Sequence, residues 1–175
     1  MVWKRFSQGS PADKHLNEAE KHWRNHQNYL LKNDAYMATD ACSEVIRLSQ
    51  TAIQSDKQMG DAYVLLASAL SSAASQYSRE KYPDEFNFLH SRAAAVIQQW
   101  YVLTQSGSLT TKKKSIGEEL WRKTVGEIKE NEELPEREAI VLMNSCRRDL
   151  AASAVSPSSF REISDIIFSK LRPKR

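Results

Sequence analysis

Along most of this chain apolar residues recur at three- and four-residue intervals, and no segment alternates apolar with polar as a strand would, so the pattern predicts an all-α protein. Over residues 12–32, Leu16, Ala19, Trp23 and Leu30 hold one helical face. A second helix over 35–54 would bury Ala38, Ala41, Cys42, Val45, Leu48, Ala52 and Ile53. A third over 61–78 would bury Ala62, Tyr63, Leu66, Leu70, Ala73 and Tyr77, and its many Ala and Ser residues permit close helix approach. A fourth carries Phe86, Leu89, Ala93, Val96, Ile97 and Trp100, and a fifth Leu120, Trp121, Val125 and Ile128. A sixth opens at Pro135 and buries Ala139, Leu142, Met143, Cys146 and Leu150. A seventh opens at Ser156-Pro157 with Phe160, Ile163, Ile167 and Leu171 inward. Each of the five prolines falls where this periodicity starts or stops, as proline's missing N–H requires.

The expected organisation is a flexible N-terminus (1–11), two helical hairpins (12–104), a polar linker (105–114), and a third hairpin with a capping helix (115–171). A basic tail (172–175) follows. Ser115 and Glu118 are spaced for a capping box at the start of the fifth helix. Short turns within the pairs make neighbouring helices antiparallel, either as a repeat-like array or as a plain bundle.

Composition adds limits. Hydrophobic residues are 41% and charged ones 27%, ordinary for a globular chain that folds without metal or disulfide. No apolar run approaches the ~20 residues that span a bilayer, so no membrane partner is expected. Cys42 and Cys146 both fall on predicted buried faces, and Met1–Phe6 has no apolar stretch behind its basic pair. Both features suit a reduced, cytoplasmic protein. The net charge of +3 comes wholly from the C-terminal part, because residues 1–104 carry 11 basic and 11 acidic side chains.

The stretch from Ala52 to Leu70 resembles the junction between two tetratricopeptide repeats. In that family an aromatic is followed three, four and seven residues on by Leu, a small residue and an apolar group, places filled here by Tyr63, Leu66, Ala67 and Leu70. Lys57 stands where the family prefers proline. Trp23 and Trp121 echo the pattern partially, at separations of 40 and 58 residues from Tyr63 against the family's roughly 34. The resemblance implies stacked hairpins, a concave groove lined by the first helix of each pair, and a closing helix with one solvent face. In some members basic and Asn side chains in that groove clamp a partner's terminal carboxylate. Transferred by position, this gives Arg24, Asn28, Ser68 and Arg122, with Lys21 and Lys123 beside them, while Val64 and Gly126 depart from the clamp.

Candidate chemistry is sparse. His15, His22 and His26 lie on one flank of the first helix with Glu18 between, a candidate metal set that lacks a completing carboxylate or thiol. His26 falls inside the apolar stripe, where a hydrogen-bonded structural histidine is the commoner role. Neither a Gly-rich phosphate loop nor a nucleophile elbow is present, so no catalytic residue and no cofactor are assigned. The expected function is therefore a non-enzymatic protein-interaction scaffold or adaptor taking a peptide or helix, acidic or C-terminal, from a partner. The alternatives are a nucleic-acid-associated protein using Lys112–Lys114, Arg147, Arg148 and the Arg172–Arg175 tail, or a homo-oligomeric structural subunit.

Overall fold

Capping side chains fix where the first helices begin. Ser10 Oγ accepts from the amide of Asp13 (3.2 Å), Asp13 Oδ2 accepts from the amide of Ser10 (3.1 Å), and Pro11 fills the first turn, so α1 runs Pro11–Leu31. Asn33, in the left-handed region at φ 56°, closes the next turn. Asp34 then caps α2 (Ala35–Ser55) by accepting from the amide of Met37 at 3.1 Å. Next come α3 (Gly60–Ser75), α4 (Pro83–Gln105), α5 (Lys114–Asn131), α6 (Glu136–Ser145) and α7 (Arg148–Val155). A 3-10 turn at Pro157–Ser159, α8 (Phe160–Phe168) and a last 3-10 turn at Ser169–Leu171 complete the chain. The computed structural model describes residues 9–145 and 148–171. Residues 1–8, Cys146, Arg147 and the 172–175 tail lie outside them, including the packing role expected of Cys146 and the basic roles expected of Arg147 and the tail.

The protein is all-α, with no strand among the described residues and one isolated bridge, Met59 to Thr110. No helix among them is long and apolar enough to cross a membrane. Eight helices are described where the apolar period predicts seven. The expected sixth is described as α6 and α7. The expected seventh starts later, because Ser156-Pro157 opens a 3-10 turn in which the Ser159 amide donates to Ser156 O (3.1 Å) before α8 begins.

α3 is the central element, touching α1, α2, α4 and α5. Every residue from Gly60 to Ala67 is buried, and its small side chains let four neighbours approach at once. Both ends of α3 are tied to distant chain. At its start, Asp61 Oδ1 accepts from the Thr111 hydroxyl (2.9 Å) and from the amides of Lys112 (3.0 Å) and Lys113 (3.1 Å). The Gly60 amide donates to Thr110 O (2.8 Å), and a side chain at Gly60 would meet Thr111 Cβ at 2.9 Å. The 105–114 connection is therefore docked on α3 rather than hanging as a free tether. This also explains why the Ser115–Glu118 capping box does not form: α5 begins at Lys114 without a side-chain cap, its entry held instead by Asp61. At the other end the Tyr77 hydroxyl donates to Ile166 O (2.7 Å) and accepts from the Lys170 amide (3.1 Å).

That second tie, with Gln50 Nε2 donating to Ala154 O (2.8 Å), folds the C-terminal part back over earlier helices. α7 and α8 both rest on α2 and α4. α5 packs on α4 through Trp100, which is fully buried, and Gly117, where a Cβ would overlap the Trp100 indole. Tyr101 stacks on Trp121 (centroids 4.0 Å apart), whose indole N–H donates to Gln98 Oε1 at 2.8 Å.

Two glycines of α5 separate packing from backbone effects. Gly117→Ala should lower the free energy of unfolding in urea by about 1–3 kcal/mol through overpacking against Trp100. Gly126→Ala, where a Cβ meets open space, should raise it by about 0.5–1 kcal/mol by stiffening the unfolded chain. Equal effects at both positions would contradict the close α4–α5 approach.

Candidate functional site

α3 exposes only one strip along its length. Ser68, Ser71, Ser72 and Ser75 floor a hollow whose walls are Trp23 from α1 and Leu120 and Lys123 from α5. The small serines leave room between two helices that flank the same central helix, and the half-buried Trp23 and Leu120 give the hollow apolar sides. Three floor hydroxyls are already engaged. Ser68 donates to Val64 O (2.8 Å), Ser75 donates to Ser72 O (2.6 Å), and Ser72 bonds His26 Nε2 (2.7 Å). Ser71 has no hydrogen-bond partner among the described residues and is the floor hydroxyl open to a guest. About one turn from Trp23 and two from Leu120, Lys113 Nζ meets Glu20 Oε1 at 2.9 Å and joins the two walls.

His26 braces the Trp23 wall. Its ring stacks on Trp23 (centroids 5.3 Å apart) and is 2% exposed. Nδ1 lies 2.6 Å from the Ala38 carbonyl, which can only accept, so Nδ1 carries the proton and Nε2 accepts from Ser72. Burial pulls the His26 pKa below its ordinary value of 6.5, against a smaller opposing effect of the Ala38 bond. With both nitrogens occupied, His26 has no lone pair for a metal. His22 faces Glu18 at 3.6 Å, and among the described residues no group of three or more metal-ligating side chains gathers, so His15, His22 and His26 do not assemble a site. Cys42 is likewise a core group: burial pushes its thiol up to about 12, and Sγ donates to Ala69 O at 3.3 Å.

Of the residues transferred from the repeat pattern, the structure brings Ser68 and Lys123 together in the hollow and leaves four outside it. On a regular helix Lys21 and Asn28 stand roughly 140–160° around from Trp23 and so face solvent, and Arg24 is roughly 100° away. Lys21 pairs with Glu18 at 4.0 Å, and Arg122 with Glu118 at 4.0 Å on the outer side of α5. These side chains cannot converge on one carboxylate. Trp23 and Leu120, expected in the core, line the hollow as well, and so do Ser71, Ser72 and Ser75, which were visible in the sequence only as part of an Ala/Ser-rich stretch. The basic run 112–114 is exposed, but Lys113 is held by Glu20 and Lys114 approaches Glu118 at 3.9 Å.

No family model, curated protein or solved structure matches this chain.

The environment of His26 makes stability depend on pH. Its folded pKa lies below the unfolded value, so below about 6.5 the unfolded chain takes up the proton more readily and stability falls as pH drops. Urea midpoints measured from about pH 7 to 5.5, above the carboxylate range, should decline in the wild type and decline less in His26→Gln, which keeps hydrogen-bonding atoms without the titration. Parallel declines would remove His26 as their cause.

Proposed function

We propose that this chain is a non-catalytic scaffold whose antiparallel helix pairs stack in the manner of tetratricopeptide repeats and hold a peptide or helix of a partner protein in the α1–α3–α5 hollow. The supporting observation is that the first helix of each pair, α1, α3 and α5, contributes to one trough, with Trp23, the serine strip and Leu120–Lys123 side by side. α3 touches both flanking first helices while α2 and α4 pack behind them, the alternation that stacked hairpins produce. The signature residues Tyr63, Leu66, Ala67 and Leu70 are all buried at the α2–α3 junction, where an aromatic knob and small residues permit close crossing. Apolar walls give a guest its anchor, the Ser71 hydroxyl a polar contact, and Lys123 a preference for an acidic neighbour.

The test is affinity capture from native lysate with mass spectrometry. Ser71→Trp, which fills the floor, and Lys123→Glu, which reverses the wall charge, should each cut recovery of the wild-type partners, the first by roughly ten-fold or more. The Arg24→Glu/Arg122→Glu variant, altered only outside the hollow, should capture them normally. Unchanged capture by folded Ser71→Trp, or loss confined to the Arg24/Arg122 variant, overturns the assignment.

A further inference from the structure

A second and larger concavity lies away from the serine strip, where the end of α2, the first turn of α3, the end of α4 and α7 meet. It measures about 790 Å³, within the ~300–1,000 Å³ typical of small-ligand clefts. Its walls are mainly apolar: Ile53, Tyr63, Val102, Ala151, Val155 and Pro157 line it, and Val102 is left 45% exposed at its edge. Among the described residues the charged lining groups are Lys57 and Arg148, both exposed, and neither has a carboxylate partner there. Acidic neighbours in sequence offset the lining charge only in part. Asp56 sits close enough that, after burial, its charge helps raise the Tyr63 pKa, and Asp149 is not part of the wall, so two cations face one nearby carboxylate and the surroundings stay net positive. The amides of Gln54 and Gln99 also line the trough without partners among the described residues.

From this arrangement we propose that the α2–α3–α4–α7 trough binds a small anionic amphiphile, a molecule with an aliphatic body and a carboxylate head. The aliphatic body displaces water from Ile53, Tyr63, Val102 and Val155, and burial of such surface supplies most of the binding energy. The carboxylate pairs with Lys57 or Arg148, each of which lines the trough, through charge-assisted hydrogen bonds. A cationic head of the same chain length meets a net positive lining there, so the site discriminates by charge rather than by length.

The probe is decanoate, with decyltrimethylammonium as the counterpart of opposite charge, each titrated below its micelle-forming concentration into the full chain and followed by amide NMR. Decanoate should give saturable shifts confined to residues 53–63, 99–102 and 148–157, and decyltrimethylammonium should bind roughly ten-fold more weakly or worse. Lys57→Glu/Arg148→Glu should weaken decanoate by a similar factor. Ala152→Trp, which fills the trough from its exposed wall without altering charge, should abolish the shifts while the melting temperature holds. Equal affinity for the two amphiphiles, shifts centred on the serine strip or scattered over the surface, no saturable shift, or wild-type binding by either variant overturns the proposal. None of these outcomes bears on partner capture at the serine-floored hollow.

Discussion

Burial of α3 on nearly every side is the constraint from which the rest of this architecture follows. A helix surrounded by four neighbours cannot carry large side chains all round, and α3 is accordingly built largely of Ala, Ser and Leu, with Tyr63 in its first turn and Tyr77 just beyond its end. Small residues bring the neighbouring backbones close and increase dispersion contact per residue, and the loss of bulk on the open side leaves a strip of serines with space above it. The hollow is thus the geometric complement of the packing on the other sides.

Polar groups at the ends of α3 then decide how the remaining chain wraps. Asp61 gathers a hydroxyl and two amides from the α4–α5 connection, and Tyr77 receives the end of α8. Each tie joins residues far apart in sequence, and each satisfies backbone groups near a helix end. The consequence is a chain whose C-terminal helices lie over α2 and α4, which creates the second trough at the α2–α4–α7 junction. Two concavities on different flanks, one floored by serines and one edged by cations, let a single small domain offer two chemically distinct surfaces.

The buried histidine and thiol show why reactive side-chain types do not by themselves make a reactive site. His26 is held neutral by burial with both nitrogens bonded, and Cys42 is protonated in apolar surroundings. Both serve packing and specificity of the α1–α2–α3 contact. A buried polar group with its partners satisfied favours one arrangement of three helices over its neighbours in register, because any slip leaves ring nitrogens unpaired.

Much of the fold was written in local pattern. Proline, Ser10-Pro11 and Asp34 set helix ends, and the three- and four-residue apolar period set inward faces, because capping and amphipathicity operate between residues within about a turn of each other. Ala62, Tyr63, Leu66, Leu70 and Tyr77 were legible as core for that reason, and His26 as a structural histidine. What local pattern could not reach was anything settled by the partner across a gap. The Ser115–Glu118 capping box had the correct spacing and yet lost to Asp61, roughly fifty residues away, because three charge-assisted bonds from one fixed carboxylate outweigh a reciprocal pair. Lys21, Arg24, Asn28 and Arg122 had the correct offsets from an aromatic, but only the helix rotations in the packed state decide which side chains face the hollow, and these face outward. The sequence determined the helices and their buried sides; tertiary packing alone decided which exposed strips meet, since periodicity specifies a face but not what stands opposite it.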